Sequence, residues 1–126
     1  MNLPEYFQLS TGYVCYRPVS DVTFLKVIEL CSDAISFSRM QKIRCLLLDT
    51  TRLAGFGPPS TLDRFEFGSR CARAAEGKVK VAFLAKPEMI DTDGFGLVVA
   101  KNRGFRTGIF VSESEAVQWL LDPNSP

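Results

Sequence analysis

Two short runs constrain this chain more than any other feature: Ile43–Leu48 (IRCLLL) and Val79–Ala85 (VKVAFLA) are nearly continuous in apolar residues. A strand with one wet face alternates apolar and polar side chains. Runs like these read instead as strands covered on both faces, the situation of a mainly parallel sheet packed by helices. Between and around them the period changes from two to 3.6. Phe24, Val27, Ile28, Cys31, Ala34 and Ile35 share one helix face, opposite Lys26, Glu29 and Asp33, which predicts an amphipathic helix from a cap at Ser20 or Asp21 to about Met40. A second helix is predicted over 61–75, capped by Ser60 or Thr61 and stopped by Gly77. A third opens at Thr92 or Asp93 and ends with Gly104 as a left-handed residue. Ser112-x-x-Glu115 reads as a capping box for a final helix that buries Ala116, Val117, Trp119 and Leu120.

Strands at 5–9 and Tyr13–Val19, joined at Thr11-Gly12, and a last strand at Phe105–Val111 complete the order ββαβαβαβα. The predicted class is α/β, with a mixed, mainly parallel five-stranded sheet and about four helices. The first strand is expected as the antiparallel edge. Right-handed crossovers gather helices on one face of such a sheet. Yet Leu46, Leu47 and Leu48 are consecutive, so both faces are apolar. The second face needs a helix, the N-terminal segment or a second copy of the chain over it, and a homodimer is the expectation.

The 126 residues fit one domain, 1–126, with 122–126 as a frayed tail. A net charge of +1 gives no electrostatic reason to expect nucleic acid or an acidic membrane, and Lys101, Arg103 and Arg106 read as a solvated helix end. No apolar run approaches the length of a membrane span, and MNLPEYFQ does not have the pattern of a signal peptide. Cys15, Cys31, Cys45 and Cys71 form no CxxC and are read as reduced, which fits a cytoplasmic protein.

The absence of His removes the Ser-His-Asp and Cys-His nucleophile arrangements and any His-based metal site. Gly55-Phe56-Gly57 and Gly94-Phe95-Gly96 each begin a dinucleotide fingerprint, but the third glycine is Ser60 in one and Val99 in the other. Asp91-x-Asp93 reads as acidic residues at a helix start. Asp63 and Glu66, near Arg64 and Arg70, read as a charged helix face. No catalytic residue, metal or cofactor is expected, and the chain is not read as an enzyme.

What remains is a binding site. The loops Leu53–Pro59 and Pro87–Phe95 follow parallel strands at their carboxyl ends, where ligands of open α/β sheets gather. Each carries a Phe between glycines. Phe56 and Phe95, with Leu53, Phe65 and Met89 behind them, are predicted to line an apolar cavity, with Arg52 and Lys86 as anchors for a charged head.

From Ile43 onward the chain resembles the SpoIIAA-like branch of the STAS superfamily (sulfate transporter and anti-sigma-factor antagonist domains). The resemblance is carried by CLLLDTTRLAG at 45–55, VAFLAKPE at 81–88 and RGFRTGIFVSESEAVQWLL at 103–121. It implies a sheet whose strands are added one beside the last. It also implies a binding or regulatory role without turnover, directed at a hydrophobic or lipid-like small molecule or a partner protein. The alternative it offers is an anti-sigma-factor antagonist switched by phosphorylation of a Ser at a helix start, which would fall at Ser60. Here that neighbourhood reads Pro58-Pro59-Ser60-Thr61 and departs from the Asp-Ser-Ser-Gly-like setting of the antagonists.

Overall fold

The structure is a computed structural model that describes residues 2–90 and 95–126, and the backbone alone at 95, 96 and 99. The two apolar runs form β4 (Cys45–Asp49) and β6 (Lys80–Leu84), paired in parallel with Leu46 beside Val81 and Leu48 beside Phe83. Around them lie β1 (Phe7–Leu9), β2 (Val14–Tyr16) and β7 (Thr107–Phe110). The sheet order is β1-β2-β4-β6-β7, antiparallel at β1 and parallel elsewhere, so each strand is laid beside its predecessor. The mixed five-stranded sheet and its four helices are those expected from the sequence. β2 is shorter than predicted, because the buried Pro18 has no N–H for the ladder.

The pleat sorts the consecutive leucines. Leu46 and Leu48, with Val14, Tyr16, Val81 and Phe83, face one core. That core is covered by α1 (Phe24–Met40), α2 (Thr61–Ala75) and α3 (Phe95–Asn102). Leu47, Cys15, Ala82 and Leu84 point the other way, onto Ala116 and Leu120 of α4 (Glu113–Leu121). Helix α4 thereby closes the second face. The apolar second face, which motivated a homodimer, therefore has its cover within the chain.

Two further expectations are corrected. The N-cap of α1 is Thr23, whose hydroxyl accepts from the Lys26 N–H at 3.2 Å, and not Ser20 or Asp21. Those two residues form β3 (Ser20–Asp21), parallel to β5 (Leu53–Ala54) inside the segment expected to be a loop. At α4, Ser112 accepts from the Glu115 N–H at 3.4 Å, one half of the predicted capping box. Ser60 caps α2 as predicted, and there the box is complete with Asp63. The predicted α3 caps Thr92 and Asp93, and the Asp91-x-Asp93 pair, lie outside the described residues. Among the described residues no helix is long and apolar enough to cross a membrane.

Candidate functional site

A cavity of about 210 Å³ lies between the carboxyl edge of the sheet and the three helices of the first face. Its wall is an arc of phenyl rings. Phe56 meets Phe24 edge-on at 5.7 Å between centroids, Phe24 lies 6.0 Å from Phe67, Phe67 5.3 Å from Phe83, and Phe83 stands T-shaped to Phe105 at 6.5 Å. Tilted and edge-on pairs at these distances attract beyond the area they bury. Each ring comes from a different element: the β5–α2 loop, α1, α2, β6 and the turn after α3. Because the strands are added in one direction, the sheet has no reversal point. The space sits under the helices and not in a crevice between halves of the sheet.

Helix α2 can approach α1 because its buried side is made of small residues, Gly68, Ser69, Cys71, Ala72 and Ala75. Phe67 projects from the margin of that side into the cavity. The polar lining is sparse. Arg64 of α2 lines the cavity and donates through Nη1 to the Met89 carbonyl at 2.9 Å, tying the 3-10 turn Pro87–Met89 to the helix. Thr50 and Lys86 line it at the ends of β4 and β6, and the Thr50 hydroxyl donates to the Leu84 carbonyl at 3.0 Å. Cys71, also in the lining, is fully buried, and burial pushes its thiol pKa up, so it presents a neutral apolar surface.

Of the predicted site residues, Leu53, Phe56, Met89 and Lys86 line this cavity. Phe65 does not. It is partly exposed on the outer side of α2, where Arg103 stacks over its ring at 5.9 Å. Arg52 is exposed and away from the lining. The side chain of Phe95 lies outside what is described. Sequence reasoning missed Phe67, although helical spacing could have found it. Residues 64, 67, 68, 71 and 75 fall on one side at i, i+3, i+4 steps, and Phe65 falls about 200° from Phe67. Phe24, Phe83 and Phe105 were legible only as core.

The charged groups near the same edge are committed to structure. Asp49 is buried and accepts from Arg17 at 2.9 Å and from the Thr51 N–H and hydroxyl at 2.9 and 2.6 Å. Arg17 also pairs with Glu113 at 2.7 Å, clasping β2 and β4 to the start of α4. A carboxylate holding three donors has little capacity left to act as a base. Asp63 is likewise occupied, accepting from the Ser60 N–H at 3.1 Å while its own N–H bonds the Ser60 hydroxyl at 3.1 Å. A phosphate on Ser60 would displace that reciprocal pair and face the Asp63 carboxylate.

No protein-family model matches the chain. No curated protein matches it either. Among solved structures the chain is similar to one from Shewanella loihica PV-4, described as an uncharacterized protein from the DUF3478 family with a SpoIIAA-like fold. The identity is 17%, 90% of each chain is covered, and the TM-score is 0.48.

Proposed function

We propose that the chain is a binding module for a compact apolar molecule carrying one anionic head, held in the cavity at the carboxyl edge of the sheet. The observation that carries this is the arc of five rings around about 210 Å³ of space, with Arg64, Lys86, Thr50 and Thr107 as the few polar residues in its lining. The volume sets the ligand size. An apolar cavity of about 150 Å³ accepts benzene. The present one therefore takes a single ring with a short side chain, or a medium-length acyl chain.

Native mass spectrometry of freshly purified protein tests for a retained ligand. Titration with 4-phenylbutyrate and octanoate, followed by thermal unfolding, tests the class. The expected result is a rise in Tm with either probe that is lost in Phe67→Ser, with a weaker response in Arg64→Gln. No retained mass and no Tm shift at millimolar probe would remove the reading.

A further inference from the structure

A second concavity lies at the opposite, amino-terminal edge of the sheet, with a volume of about 710 Å³ and a different chemistry. Arg39, Lys42, Arg44, Lys78, Lys80 and Arg106 line it, against Asp122 as the acidic residue of its lining. Arg39 stands in the last turn of α1, Lys42 and Arg44 in the α1–β4 connection, Lys78 in the α2–β6 connection, Lys80 at the start of β6 and Arg106 just before β7. In a chain with 15 basic and 14 acidic residues, such a concentration at one end is a strong departure from the overall balance.

Helix C-termini attract cations, and that accounts for Arg39 and Lys80. Arg39 donates to the Ala74 carbonyl at 2.9 Å and pairs with Glu76 at 3.6 Å. Lys80 donates to the Trp119 and Asp122 carbonyls, both at 2.9 Å, and to the Ser125 hydroxyl. Arg106 reaches the Ser125 carbonyl at 3.5 Å. Lys42, Arg44 and Lys78 are different: among the described residues no side-chain hydrogen bond or ion pair engages them. They are exposed, and like charges crowded in a groove repel.

Lys42 also has a distinctive backbone, which supplies a test. The end of α1 is a Schellman turn, with the Ile43 N–H on the Ser38 carbonyl at 2.9 Å and the Lys42 N–H on the Arg39 carbonyl at 3.1 Å. Lys42 occupies its left-handed position at φ 61. Helix α3 ends in the same turn, and there the position is held by Gly104 at φ 79, the residue type that suits it. Lys42 bears the strain of a conformation that favours glycine, as Glu76 does at the end of α2 with φ 50. The field of the groove is also visible at Lys80, whose ammonium pKa is lowered by burial and by the neighbouring Arg106.

We infer that this groove binds a small, multiply charged phosphate-type anion, with Lys42, Arg44 and Lys78 as its ligands and Arg39, Lys80 and Arg106 supplying the surrounding positive field. A concave space of this volume is of small-molecule size, unlike the long flat stripe that tracks a nucleic-acid backbone. The inference does not depend on the cavity at the other edge.

Isothermal titration of the full chain with inorganic tripolyphosphate tests it. One site is expected, weakening steeply with added salt. Lys42→Gly is the decisive variant, because it should relieve the left-handed strain, keep or raise Tm, and still weaken binding at least fivefold. Arg44→Gln and Lys78→Gln should weaken it comparably, while Lys101→Gln, at an exposed position of α3 outside the groove, should not. Vesicles of anionic phospholipid separate a headgroup source from a free anion: the free anion should compete the protein off them or the vesicles should not bind. Absence of tripolyphosphate binding, or equal weakening by Lys101→Gln, would overturn the inference.

Discussion

Four buried side chains illustrate how single residues set the stability of this fold. Tyr16 packs in the first core with Phe7 at 4.6 Å, and burial pushes its phenol pKa up to about 12. The folded chain therefore holds that proton more tightly than the unfolded chain, where tyrosine titrates near 10. Its contribution is full below pH 10 and is lost between 10 and about 12, by roughly 2 kcal/mol. Tyr16→Phe should flatten that part of the stability–pH curve in urea titrations, and an unchanged slope would show that the phenol is not the group responsible. The thiols of Cys31 and Cys71 are shifted the same way by burial and begin the alkaline fall lower, where unfolded thiols titrate. Lys80 acts through hydrogen bonds. It lies 4.5 Å over the Trp119 ring and holds the last carbonyls of α4. Lys80→Met keeps the stem and leaves those acceptors without the ammonium, an expected loss of about 1–3 kcal/mol. A loss below about 0.5 kcal/mol would mean that water replaces the lysine freely.

Among the elements, the pair β3–β5 does the most to place the site with the fewest residues. It brings Leu53 under the cavity and turns the chain at Gly55, which has φ 96. A Cβ on Gly55 would stand 2.9 Å from the backbone N and O of Val22, whereas one on Gly57 would meet nothing within 4 Å. Gly55→Ala should cost about 1–3 kcal/mol and weaken probe binding through Phe56, while Gly57→Ala should stay within about 0.5 kcal/mol. Equal effects at both glycines in thermal unfolding would refute that asymmetry. The same pair shows where the sequence stops being legible. Ile43–Leu48 and Val79–Ala85 announce their strands because five or more residues carry a pattern. A two-residue strand such as Ser20–Asp21 carries none, and its Ser and Asp imitate a helix cap that Thr23 supplies three positions later. The loop phenylalanine Phe56 was legible from its glycines. Phe67 lay hidden beside Phe65 because composition marks an aromatic helix without fixing its phase.

At the scale of the whole molecule, the sheet separates two chemistries. The apolar cavity lies at the carboxyl edge and the basic groove at the amino edge, with β6 running from Lys80 at one to Leu84 at the other. The groove is not legible in the sequence because its cations fall in three stretches far apart along the chain, 39–44, 78–80 and 106, each locally unremarkable beside a net charge of +1. Five residues of strand span roughly 13 Å, so ligands at the two edges do not touch. Strand β6 is buried throughout and pairs in parallel with β4, with no alternative packing evident that either ligand would favour. Two ligands bound this way should stabilise independently. Each present at a hundred times its Kd contributes about 2.7 kcal/mol. The unfolding free energy with 4-phenylbutyrate and tripolyphosphate together should equal the sum of the separate increments within about 0.5 kcal/mol. A clear shortfall would place both probes in one site, and a clear excess would mean that the sheet couples the two edges.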